Sequence, residues 1–264
     1  MLRITRSSSP QEITEEIKRL REQKGKEKEV LNIIHKARVF GEDFLVDLFW
    51  EEALVYQHLL MNADGKGEAE DKIIRKKNLI EMEKTVKLAK YFIVRYDLYR
   101  WSHRLYRFMG RVEDFKGNYN RALNYYRKAL KYAREDPDYA KDKLPRWLEV
   151  EAFISFSLIM KGGVSKGYKL ALEIFDKFDH DKEARQLKIN DYSTWAIWKS
   201  GIPIRTINAL LDKKAIFNKM EGLSLLEEAE SILNPPKGIK AWVDFSYRKE
   251  EIEAVLKRLD GSSN

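Results

Sequence analysis

The sequence predicts an all-α protein, an α-solenoid of antiparallel helix pairs. Three observations predict it. No stretch of the 264 residues sustains the period-two alternation of apolar and polar side chains that a sheet needs. Apolar residues recur at helical spacing, and with only six prolines and thirteen glycines few of those runs are interrupted. Short connectors separate about a dozen such runs, too many for a four-helix bundle and suited to stacked helix pairs. A single domain spanning 1–264 is expected.

The elements follow in order. Ser9-Pro10-Gln11-Glu12 is a start signal: Ser caps, Pro occupies the first turn and Glu completes a capping box, with Ile13, Ile17 and Leu20 on the apolar face. Gly25 breaks this helix. A second runs from Glu27 to Phe40 around Val30, Ile33, Ile34 and Ala37 and ends at Gly41. A third spans Glu42 to Asn62, with Leu45, Leu48, Phe49, Ala53, Tyr56 and Leu60 inside, and ADGKG (63–67) is a loop. Glu68 to Tyr96 reads as a long Lys/Glu-rich helix. Asp97 is placed to cap the next, Leu98 to Lys116. Gly117-Asn118 turns the chain into a helix from Tyr119 to Arg134, followed by a polar connector, REDPDYAKDKLP (134–145). Helices are then expected over Arg146–Lys161, Gly167–Phe178, Lys182–Lys199, Ile204–Met220, Leu223–Leu233 and Ser246–Leu259. Gly162-Gly163 forms a turn, and Asn234-Pro235-Pro236 a stop.

Composition narrows the function. The absence of cysteine removes disulfides, thiolate metal sites and cysteine nucleophiles. No run approaches the ~18–20 apolar residues that span a bilayer, and the basic N-terminus has no apolar stretch of a secretory signal behind it. No membrane partner and a cytoplasmic location are therefore expected. The four histidines (His35, His58, His103, His180) share no metal-ligand spacing, and no phosphate loop, GxGxxG or GxSxG is present. The reading is of a protein without enzyme activity, metal or cofactor.

Charge is unevenly placed. Residues 1–90 carry 18 basic and 17 acidic side chains and residues 135–264 carry 21 and 22, while residues 91–134 carry 11 and 3. The whole net charge of +8 thus sits in the middle segment, where it can steer an acidic ligand. Within it, Arg100, Arg104, Arg107 and Arg111 share one helical face by spacings of four, three and four. Mutual repulsion costs roughly 1 kcal/mol unless something anionic answers it. The candidate ligand-binding residues are these four, with Arg95, Arg121 and Arg127 adding to the field.

The segment after the stripe, GNYNRALNYYRKAL (117–130), carries the clearest motif. With Tyr106, Met109 and Gly110 before it, and Gly117-Asn118-Tyr119, Ala122-Leu123, Tyr126 and Ala129 within it, residues 103–137 resemble one tetratricopeptide repeat. Glu113 departs from the pattern, where a large apolar residue is usual. A weaker copy lies in 152–180, where Ala171, Leu172 and Phe175 in GYKLALEIFDKF match Ala122, Leu123 and Tyr126. The resemblance implies a right-handed superhelix of helix pairs whose first helices line a groove. It places Arg104, Arg107, Arg111 and Asp114 on the groove side.

Two readings of the stripe stand side by side. In one, an acidic protein or peptide lies in a basic groove. In the other, the arginines pair with acidic residues of neighbouring helices, such as Glu81 or Glu149. A nucleic acid is the alternative ligand for the same face, because tyrosines such as Tyr96, Tyr99 and Tyr125 interleave with the arginines and could stack on bases. Tyr192, Trp195 and Trp198, three residues apart, read as core.

Overall fold

The computed structural model describes residues 9–37, 42–61, 68–135 and 144–261, and among these it contains twelve α-helices and no strand. The predicted Gly41 stop, the 63–67 loop and Pro137 lie outside the described residues. Contacts cluster into two compact units, Met1–Gly117 and Asn118–Asn264.

The first unit comprises α1 (Pro10–Arg21), α2 (Glu27–Ala37), α3 (Glu42–Met61), α4 (Glu68–Arg95), a 3-10 turn (Tyr99–Trp101) and α5 (Ser102–Phe115). The capping box of α1 forms as predicted: Ser9 Oγ accepts from the Glu12 amide at 3.2 Å, and Glu12 Oε2 accepts from the Ser9 amide at 2.8 Å. That bond to the Ser9 backbone, with a second to its hydroxyl, holds the Glu12 carboxyl below its usual range. Helix α3 is the centre of the unit. On one side Phe44, Leu48 and Val55 meet Ile13, Ile17, Val30 and Ile34 of α1 and α2. On the other, Val46, Trp50 and Ala53 meet Met82, Val86, Leu105 and Phe108 of α4 and α5, with the Trp50 and Phe108 rings stacked 5.2 Å apart. A helix buried on two sides needs apolar residues nearly all round. Each large side chain so buried contributes about 1.5–3 kcal/mol.

Between α4 and α5 the structure departs from expectation. Asp97 does not cap the following helix. It sits at φ +54° just past the end of α4, where the Leu98 amide donates back to the Ile93 carbonyl oxygen at 2.9 Å, closing the helix in a left-handed C-terminal cap. The next residues form a tight 3-10 turn before α5 begins at Ser102.

The second unit comprises α6 (Tyr119–Glu135), α7 (Arg146–Met160), α8 (Val164–His180), α9 (Lys182–Asn190), α10 (Tyr192–Asp212), α11 (Lys219–Ile232) and α12 (Ser246–Gly261). Helix α6 buries Ala122, Leu123, Tyr126, Ala129 and Ala133, and Tyr126 stacks on Phe153 of α7 at 5.6 Å. Helices α7 and α8 turn at Gly162-Gly163 and meet closely at Gly167, where a Cβ would lie 2.7 Å from the Ser155 carbonyl oxygen. Helix α10 is buried along most of its length and packs against α7, α8, α9, α11 and α12.

Here the predicted helices 182–199 and 204–220 are redrawn. The break falls at Asp191, whose carboxylate caps α10 by accepting from the Thr194 amide at 3.0 Å and also accepts from Trp242 Nε1 at 2.8 Å. Pro203 lies inside α10. Its cost of about 3 kcal/mol is offset by burial of Trp195, Ile202, Ile204, Ile207 and Leu210 around it. Tyr192 and Trp195 are core residues and Trp198 packs against that core, as their spacing predicts.

Candidate functional site

The arginines of the middle segment divide between the two units. Arg107 and Arg111 lie inside the first unit, 6% and 4% exposed. Arg111 donates to Gln57 Oε1 and to Asp114 Oδ2, each at 3.2 Å, and its guanidinium lies 4.5 Å from the Phe115 ring centre. Arg107 lies 4.6 Å from the ring centre of Phe108. Arg104 is half-buried, 3.8 Å from Glu51 and 4.0 Å from Asp47. Arg100 and Arg95 are exposed. Arg100 stands in the 3-10 turn before α5, near enough to Asp47 to act on its carboxyl beside Arg104.

Helix α3 answers Arg104 and Arg111. Along it Asp47, Glu51, Glu52, Gln57 and His58 interrupt a largely apolar surface. Glu51, 3% exposed, pairs with Arg104 and also with Arg21 of α1. Burial works against the charge of Arg21, and Glu51 and Glu22 more than offset it, so its pKa rises. His58 Nδ1 donates to the Arg21 carbonyl oxygen at 3.1 Å. Burial pushes the Asp47 carboxyl up, with Glu51 adding to the rise and Arg104, Lys18 and Arg100 opposing it.

The acidic partners therefore come from α3. Glu81, one of the expected partners, instead pairs with Lys84 at 2.8 Å. The signal was legible in the four-residue spacing of Asp47 and Glu51 within a run of apolar residues. Glu113, which departs from the repeat pattern, is buried 3.6 Å from Lys116. His103 is buried with Nδ1 donating to the Arg100 carbonyl oxygen at 3.2 Å.

Arg121 and Arg127 belong to the second unit, on the solvent face of α6. Sequence reasoning missed their neighbours. Lys128, Lys131 and Arg134 are exposed with them, and Glu135 is the one acidic residue of the helix. Spacings of four and three bring Arg127, Lys131 and Arg134 to one line, a pattern visible in the sequence. Their intramolecular contacts are long: Arg127 to Asn124 at 3.3 Å, Lys131 to Glu135 at 4.0 Å and Arg134 to Glu151 at 3.6 Å. Arg127, Leu130, Lys131, Arg134 and Glu135, all on α6, edge an open surface space of about 390 Å³. Three cations, one carboxylate and one leucine suit a negatively charged group on a short apolar stem.

Among the described residues no cluster of three or more His, Asp or Glu could hold a metal ion, and no helix is long and apolar enough to cross a membrane. No family model matches the chain, and no curated protein matches its sequence.

Proposed function

We propose that the chain is a cytoplasmic, non-catalytic adaptor of tetratricopeptide-like solenoid build that binds an acidic protein or peptide through the exposed basic face of α6. The observation that carries this reading is the exposed line of Arg127, Lys131 and Arg134, whose contacts within the chain are long. Arginine offers a planar fork that matches a carboxylate in bidentate fashion, and each charge-assisted bond is worth about 1.5–3 kcal/mol. Arg121, six residues before Arg127, faces another side of α6 and adds only to the wider field. Arg107 and Arg111, being buried and engaged within their own unit, serve packing rather than ligand contact. The adaptor reading is supported further by the 117–130 motif, by the close α7–α8 hairpin in the weaker repeat and by the lack of any catalytic motif.

The test is a titration of labelled Asp/Glu-rich peptide against the wild type and the Arg127→Glu, Lys131→Glu double variant at physiological salt. Both residues are exposed, so the fold should persist, and a loss of affinity of at least about tenfold is expected. Unchanged affinity rejects this face. Tighter capture of single-stranded RNA or DNA, with a steep decline in log K against log salt, would replace the acidic protein by a nucleic acid.

A further inference from the structure

Helix α4 carries a second surface, of different composition from α6. Seven of the twelve large apolar side chains exposed among the described residues fall between Ile73 and Tyr99. That concentration marks a patch rather than scatter. On α4 itself they are Ile73, Ile80, Leu88, Tyr91 and Val94, the first 70% exposed and the others 43–61%. Every other exposed residue from 72 to 95 is lysine or arginine. The acidic residues Asp71, Glu81 and Glu83 stand back at intermediate depth. Glu81 pairs with Lys84, and Glu83 with Lys87 and Lys116. Lys76, Lys77, Lys90 and Arg95 have no partner among the described residues. The inner face holds Met82, Val86, Ala89 and Ile93 in the core, so the outer face is fixed in orientation over the about 17 Å they span.

We infer that this face docks an acidic amphipathic helix of a partner protein, whose apolar stripe would cover Ile73, Ile80, Leu88, Tyr91 and Val94 and whose carboxylates would meet Lys76, Lys77, Lys90 and Arg95. Chemistry selects this occupant. A second copy of the chain would bring like charges together. Of the five exposed apolar side chains of α4 only Tyr91 offers a base a ring to stack on, and Ile73, Ile80, Leu88 and Val94 would stay uncovered beside a nucleic acid. Lysines intrude between the apolar residues on the same strip, so there is no continuous apolar band to sink into lipid. An extended helix laid alongside α4 satisfies apolar and cationic positions at once, reading out residues three, four and seven apart.

The probe is a synthetic helix of about 24 residues, long enough to match the face, with Leu at heptad a and d and Glu and Ala elsewhere. Its control is a scrambled peptide of the same composition. Fluorescence anisotropy at physiological salt should give the amphipathic peptide at least about tenfold tighter binding. The Ile80→Lys, Leu88→Lys double variant should cancel that advantage although it adds positive charge, and Arg127→Glu with Lys131→Glu should leave it intact. Equal binding of the two peptides, or indifference to the α4 substitutions, overturns the proposal. So does loss of the peptide on changing α6. Tighter binding of the wild type to phosphatidylserine vesicles or to oligothymidylate, abolished by the α4 substitutions, would also overturn it in favour of those ligands.

Discussion

Glu51 holds two arginines of different helices while almost wholly shielded from water. Replacing it with Gln removes the charge that Arg21 and Arg104 share and leaves Arg21 to Glu22 alone. Because a buried cation then loses its main counter-charge, Glu51→Gln should cost about 2–4 kcal/mol, read by denaturant unfolding. A loss under about 1 kcal/mol would show that Glu22 suffices. Asp47, one turn earlier, has the opposite sign of effect. Its folded-state pKa is raised above the ordinary value of 3.8, so the fold prefers its neutral form. The resulting penalty is fully present above the raised pKa and disappears as pH falls below the unfolded value. Asp47→Asn should therefore be more stable than the wild type at neutral pH, with the difference vanishing below pH 4. Partial exposure keeps the gain small. A less stable variant at neutral pH would mean that attraction to Arg104 outweighs burial.

At the scale of the element, close approach and capping decide where helices run. In α8 a Cβ on Gly167 would lie 2.7 Å from the Ser155 carbonyl oxygen and 2.8 Å from the Ile159 amide nitrogen, backbone atoms that cannot step aside. Gly167→Ala should then cost about 1–3 kcal/mol. A Cβ on Gly201 of α10 would meet only the guanidinium of Arg205, at 2.7 Å, the far end of a long side chain rather than backbone. Helix propensity favours Ala there, so Gly201→Ala should stay within about 1 kcal/mol of the wild type. Thermal unfolding of the pair checks both. Gly167 opens the weaker repeat match, where the sequence marked a helix but not this contact. The sequence did mark the Ser9 cap, the Tyr126–Ala129 face of α6 and the Tyr192–Trp195 core. These are local patterns, written in spacing of three and four residues. What it left illegible depends on distant partners: the passage of α10 through Pro203 rests on burial by five neighbouring helices. The shielding of Arg111 likewise rests on α3, some fifty residues earlier in the chain for the Arg111–Gln57 bond. The 3-10 turn that holds Arg100 has no composition signal at all, because it follows from how α4 ends.

For the whole molecule, the hydrophobic clusters respect the division at Gly117. Those built on α1 to α5 draw only on residues 13–115, and the large one on α7 to α12 only on residues 144–259. Substitutions with no shared partners are expected to act independently, and local stability follows the core to which an amide belongs. Hydrogen exchange should then separate the units. Glu51→Gln should raise exchange in α1, α3 and α5 and leave α7 and α8 protected, whereas Gly167→Ala should do the reverse. Acidic peptide bound to the basic line of α6 should slow exchange in α6 and in α7, against which Tyr126 stacks, without altering α3. An amphipathic acidic helix on α4 should protect α3 and α4 instead, since Met82, Val86 and Ala89 share a cluster with Trp50 and Ala53. If either substitution raises exchange through the whole chain, the two cores unfold as one. A ligand effect could not then be assigned to a face from protection alone, and the charge-reversal variants of α6 and the lysine variants of α4 would have to make that assignment.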